Sequence, residues 1–203
     1  MKKITCILIL IICLTPLSAQ TKDKIVLFGD SLMAGYGLTK ENHLATVLEN
    51  NLSKAGVNIS VINASVSGDT TAGGLNRIDW VLGEKELKVV IVGLGANDML
   101  RGINPAATRN NLDQIISKIL DKKLTVVLAG MLAPETHGQT YKNEFDLIYK
   151  NLANKYNLKI IPFLLEGVAL NPDMNQNDGM HPNIKGTLKV SDNIEKVLLP
   201  LLQ

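Results

Sequence analysis

Residues 87–98 read Leu87-Lys88-Val89-Val90-Ile91-Val92-Gly93-Leu94-Gly95-Ala96-Asn97-Asp98. The apolar run is continuous rather than alternating, so both faces of the segment must be covered. That is the pattern of an inner strand in a parallel sheet. The glycines behind it mark a tight exit into a loop. Working outward, four further apolar runs recur at intervals: Lys24–Gly29, Val57–Ile62, Leu124–Leu128 and Leu158–Phe163. Between them lie stripes of helical period. Leu44, Val47, Leu48 and Leu52 form one, and Leu112, Ile115, Ile116, Ile119 and Leu120 another. Phe145, Ile148, Tyr149 and Leu152 make a third, and Leu188, Ile194, Val197 and Leu198 mark a C-terminal helix. Residues 70–84 form a further helix, broken by Gly83. Strands alternating with helices imply a parallel sheet between helical layers, in one α/β domain.

The chain has 203 residues, 46% of them hydrophobic and 20% charged, which excludes a disordered or low-complexity protein. Met1-Lys2-Lys3, an apolar run from Ile4 to Leu14 and the small-residue exit Ser18-Ala19 predict a signal peptide over residues 1–19. The run is shorter than the roughly 20 residues a membrane-spanning helix needs. Residues 20–203 are then a single exported domain, periplasmic or secreted. The formal charge of +2 comes from Lys2 and Lys3, and beyond Ala19 acids and bases balance. No basic footprint argues for nucleic acid. Cys6 and Cys13 both lie in the signal, so the mature domain has neither a disulfide nor a thiolate metal site.

In a parallel α/β sheet the ligand crevice lies beyond the carboxyl ends of the strands. Four segments fall there. Gly29-Asp30-Ser31-Leu32 follows the first run, and Ser31 reads either as a nucleophile or as part of a helix cap. Ser67-Gly68-Asp69-Thr70 follows the second, offering the Gly68 N–H to an oxyanion or simply entering a capped helix. After the third run, Asp98 stands where a dinucleotide loop would carry its third glycine, and an acid there repels pyrophosphate. Asn97 reads as an oxyanion donor or as a turn residue. Finally, Asn177-Asp178-Gly179-Met180-His181-Pro182 places an acid three residues before a histidine. A short loop of this kind lets the carboxylate hold one ring nitrogen while the other faces a serine. Asp178 and His181 have no third ligand nearby in sequence, so a metal site is disfavoured.

Together these blocks resemble the SGNH (GDSL) hydrolases. Gly29-Asp30-Ser31-Leu32 is similar to their first block, Gly68 to the second, Gly95-Ala96-Asn97-Asp98 to the third and Asp178-Gly179-Met180-His181 to the last. The resemblance runs from Lys24 to Leu199. It is closest to the bacterial thioesterase I/lysophospholipase-like branch, often labelled arylesterase, on the stretch from Asn63 to Thr71, on Leu100-Arg101-Gly102 and on Asp178–Asn183. It implies a three-layer αβα sandwich on a parallel, roughly five-stranded flavodoxin-like sheet. It also implies a Ser31–His181–Asp178 triad, an oxyanion hole of the Ser31 and Gly68 N–H groups and the Asn97 amide, and no metal or organic cofactor. The implied partner is a small acyl ester or thioester, including acyl-CoA or a lysophospholipid, with transient lipid contact and an oligomeric state left open. Pro134-Glu135-Thr136-His137-Gly138 departs from that branch, which places substrate preference in question.

Met99, Leu100 and His137 are expected near the substrate, with a core or surface role as the competing reading for each. Trp80 is expected in the core, His43 in solvent, and Asp30, Asp69 and Asp98 in loop hydrogen bonds. Competing functions are a carbohydrate acetyl esterase on the same blocks and, in another class, a non-catalytic envelope-binding domain.

Overall fold

The computed structural model describes residues 22–202. The signal segment expected over residues 1–19, with both cysteines, lies outside the described residues, as do the two residues after it and Gln203. The elements in chain order are β1 (Lys24–Gly29), α1 (Ser31–Ala34), α2 (Leu44–Lys54), β2 (Ser60–Asn63), α3 (Thr71–Val81), β3 (Leu87–Gly93), α4 (Ala96–Leu100), α5 (Pro105–Asp121), β4 (Thr125–Ala129), α6 (Gln139–Tyr156), β5 (Lys159–Ile161) and α7 (Ile184–Leu202). Short 3-10 turns occupy Lys40–Asn42 and Glu135–His137.

All five strands are parallel, in the order β2-β1-β3-β4-β5. β3 is the central strand, and it pairs with β1 so that Leu27 lies opposite Ile91 and Gly29 opposite Gly93. Their side chains are buried on both faces, as the unbroken apolar run of β3 requires. α2 packs against α7, while α3 packs on α5 and α5 on α6, giving two helical layers around the sheet. The strand order reverses between β1 and β3. A crevice therefore opens outside their carboxyl ends, and Ser31 and Asn97 leave the sheet on its two sides.

Several boundaries are shorter than the apolar runs. β2 begins at Ser60 because Val57 donates its N–H to Leu52 O and closes the end of α2. β5 ends at Ile161 because Pro162 has no N–H for the ladder. α3 ends at Val81, two residues before Gly83.

Trp80, expected in the core, lies at the surface, and Leu188 lies in the C-terminal helix but off its buried face. Trp80 is 82% exposed, because the buried stripe of α3 runs through Thr71, Gly74, Ile78 and Val81 and leaves it outside. Leu188 is also exposed. The buried face of α7 follows Thr187, Val190, Ser191, Ile194 and Leu198, whose spacing of three and four residues excludes position 188. No helix among the described residues is long and apolar enough to cross a membrane.

Candidate active site

Ser31 is the first residue of α1, directly beyond β1. Asp30 caps that helix, its Oδ1 accepting from the Leu32 N–H at 3.0 Å. The helix cap is therefore Asp30, and the half-buried Ser31 hydroxyl stands next to it at the start of α1. The other partner arrives from the far end of the chain. His181 Nε2 lies 2.9 Å from Ser31 Oγ, and His181 Nδ1 lies 2.7 Å from Asp178 Oδ2.

Asp178 is fixed within its own loop. Its Oδ1 accepts from the Met180 N–H at 2.9 Å and the His181 N–H at 3.0 Å. These backbone donors, with the His181 ring, pull its carboxyl down to a pKa of about 2. Gln176 ties the loop to the rest of the site. Its backbone N–H donates to His181 O at 2.8 Å and its amide to Pro182 O at 3.0 Å.

Asn97 lies in α4 and donates from Nδ2 to Asp30 Oδ2 at 3.3 Å. Asp30 is wholly buried, and burial pushes its carboxyl up to about 6 against the hydrogen bonds from Leu32 and Asn97. Asp98, next to Asn97, accepts from the Thr71 N–H at 2.8 Å, from the Thr71 hydroxyl at 2.5 Å and from the Thr108 hydroxyl at 3.2 Å. It thereby joins α4 to the start of α3, just after the Gly68 loop. Asp69 pairs with Arg77 at 2.7 Å. All three acids hold loop hydrogen bonds, as their positions suggested.

Ser31, Gly68, Asn97 and His181 line one cleft of about 310 Å³. That is the low end of the usual range for small-molecule sites. Met99, Leu100, Met131 and Leu165 make its walls predominantly apolar. Met99 is buried and Leu100 is 47% exposed at the rim, so the pair serves core and cleft at once. His137 is not among the residues lining the cleft; its ring packs 5.1 Å from that of Tyr141. His43 is half-buried, not free in solvent, with Nε2 3.1 Å from Leu38 O. Among the described residues, no group of three or more His, Cys, Asp and Glu side chains is arranged for a metal ion.

Sequence reasoning missed three contributors. Arg77 donates to Asp69, to Ala64 O and to Gly29 O, and lies 4.1 Å over the Phe28 ring. It clamps the loop that carries Gly68 to the end of β1. Tyr36 and Gln176 were likewise passed over. Gln176 reaches Tyr36 across 140 residues of sequence, and no local pattern signals such a pairing.

The chain matches the model of the GDSL-like Lipase/Acylhydrolase family over residues 27–187. It is 38% identical over 175 residues to an arylesterase of Vibrio mimicus, spanning 86% of this chain and 87% of that one. It is 34% identical over 193 residues to thioesterase 1/protease 1/lysophospholipase L1 of Escherichia coli strain K12, spanning 95% and 91%. Among solved structures it resembles the psychrotrophic esterase EstA from Pseudoalteromonas sp., inhibited by monoethylphosphonate, with a TM-score of 0.84 and 30% identity over 89% of this chain and 99% of that one. The chain therefore belongs to the GDSL-like lipase/acylhydrolase family and is an SGNH-type esterase.

Proposed function

We propose that the protein hydrolyses carboxylic esters or thioesters of apolar acyl chains through an acyl-enzyme on Ser31. The observation that carries this reading is the unbroken line of hydrogen bonds from Asp178 through His181 to Ser31, set against an apolar cleft. Ser31 Oγ attacks the acyl carbonyl as its proton passes to His181 Nε2. Asp178, ionised far below neutral pH, fixes the tautomer with the proton on Nδ1 and stabilises the imidazolium. The Ser31 N–H, the Gly68 N–H and Asn97 Nδ2 receive the oxyanion. The imidazolium then protonates the departing alcohol or thiol. Water, activated by the same histidine, releases the acid and restores Ser31. No metal or organic cofactor takes part.

The cleft favours acyl chains over sugars. Its walls are Met, Leu and Ala side chains, and Ser67 is the one further hydroxyl in the lining besides Ser31 and Tyr36. A carbohydrate acetyl esterase would need polar groups to replace the hydration of ring hydroxyls. A binding-only domain gives no reason for three groups to be bonded in line. Leu100 and Met180 are both about half exposed at the rim, which suits brief contact with a lipid surface. Residues 1–19 carry the features of an export signal, so the site of action is the periplasm or beyond.

The test is a panel of p-nitrophenyl esters from acetate to palmitate, an acyl-CoA, a lysophospholipid and an acetylated sugar, each with Ser31→Ala as control. Serine-dependent turnover of the acyl substrates supports the reading. Activity confined to the acetylated sugar overturns the substrate class, and equal activity in Ser31→Ala overturns the nucleophile.

A further inference from the structure

We propose that Tyr36 is a positioning residue for His181: its ring face steadies the imidazole and favours the imidazolium formed when Ser31 gives up its proton. The ring centroids are 4.4 Å apart with the planes tilted by 35°. That lies well inside the roughly 6 Å over which an aromatic face attracts a cation. Tyr36 is 52% exposed, so burial of its own surface does not explain why it sits there. The backbone does.

Tyr36 stands between Gly35 and Gly37, with φ of 85° and 73°. This left-handed region is strained for residues with a Cβ. A Cβ at Gly35 would also run into the His43 ring, and one at Gly37 into Gln176 Oε1. The two glycines thus let a short turn press closely on its neighbours and present the ring between them. Gln176 then staples the turn to the histidine loop. Its Nε2 lies 2.8 Å from Tyr36 O and 3.0 Å from Pro182 O. Its own N–H donates to His181 O at 2.8 Å. One residue, through its side chain and its backbone N–H, therefore ties the backbone of Tyr36 to the loop of the residue its ring meets.

The other groups facing His181 do different work. Asp178, on its own loop, holds Nδ1, and Ser31, from α1, meets Nε2. Asp30, behind Ser31, is the further carboxylate that acts on His181 through its charge. Both acids act in the ring plane or through the field. Tyr36 is instead an aromatic ring packed against the imidazole. Neutral imidazole gains little from an aromatic quadrupole and imidazolium gains more, so the contact strengthens as the proton moves.

The inference rests on His181 being the base. The closing experiment separates the two by reading the ring directly. His181 is titrated by NMR in the resting protein, assigned by its loss in His181→Asn, with His43 and His137 as internal references. Tyr36→Leu should lower the His181 pKa by about half a unit, because the charged form loses its partner. It should lower kcat about two- to fivefold with KM nearly unchanged. Tyr36→Phe should keep both at the wild-type values, since the ring face remains. Gln176→Ala should shift both in the direction of Tyr36→Leu. An unmoved His181 pKa in folded Tyr36→Leu overturns the proposal. So does an equal drop in Tyr36→Phe, which would make the hydroxyl the active part. A change in KM alone would reduce Tyr36 to a wall of the cleft. Full activity in Ser31→Ala would instead sink the catalytic reading, while the titration would still report whether the two rings are coupled.

Discussion

Asn97 donates its side-chain amide to Asp30, the residue immediately before Ser31, across 3.3 Å. One buried carboxylate therefore holds two things at once: the first turn of α1 through the Leu32 N–H, and the orientation of the Asn97 amide. The exits of β1 and β3 are joined by this contact at the point where the strand order reverses. In the proposed mechanism the same amide turns a proton toward the oxyanion, and an amide anchored on an acceptor has fewer orientations to lose.

That anchoring has a cost that depends on pH. Asp30 is buried and its pKa is raised from 3.8 to about 6. For a raised carboxyl, the native state binds the proton more tightly than the unfolded chain. Stability therefore falls as pH rises from about 4 to about 6, and stays lower above that. The difference is on the order of 2–3 kcal/mol. Asp30→Asn should remove this slope, gaining stability against wild type at pH 7.5 but not at pH 4. It should also lower kcat, because a neutral acceptor holds the Asn97 amide less firmly. Urea midpoints of both proteins at the two pH values decide it; parallel shifts at both would show that ionisation of Asp30 is not the source.

Asn97→Ala should cost about 10²–10³ in kcat with a smaller change in KM, since an oxyanion donor acts mainly on the transition state. Steady-state kinetics on a soluble short-chain ester give the split. An effect carried by KM would make Asn97 a binding residue for the ground state.

Where the site sits was readable because its parts are local. Ser31 and Asn97 lie within four residues of a strand end, and Asp178 and His181 are three residues apart, so hydrophobic runs and one short loop locate them. The pairing of His181 with Ser31 spans 150 residues. It became legible only through the family resemblance and the rule for parallel sheets. Tyr36, Gln176 and Arg77 carry no such local mark, because what they do depends on which loops the fold brings together. Trp80 departs from its expected place in the core for another reason. Its hydrophobicity favours burial, but the helical period puts it off the buried stripe of α3.

Leu100 tests the acyl-channel reading without disturbing the core. It lines the cleft yet is 47% exposed, so a polar replacement there should leave folding intact. Leu100→Asp should lower kcat/KM for octanoyl and longer esters by about tenfold and leave acetate within about twofold, the loss being roughly that of one buried apolar side chain. A uniform loss across chain lengths would place Leu100 outside the path of the acyl chain.

Asp178 gives the sharpest link between a pKa and activity. Its carboxyl is held down at about 2, so it stays ionised across the whole range in which His181 can act as a base. A depressed carboxyl contributes stability above its unfolded pKa of about 4, and that contribution is lost as pH falls toward 2. Acid unfolding of the wild type should accordingly include this group, while Asp178→Asn should lose that part of the dependence. At neutral pH the same variant should drop kcat by about 10²–10⁴. An amide can turn its NH₂ toward Nδ1 and drive the imidazole proton onto Nε2, which then cannot accept from Ser31. The carboxylate's side chain is 41% exposed, so solvent competes at this position and the lower part of that range is the expected one. Proton-detected NMR of the His181 ring in the variant reads the tautomer directly. A ring still protonated at Nδ1, together with a large loss of kcat, would shift the role of Asp178 from tautomer control to charge stabilisation.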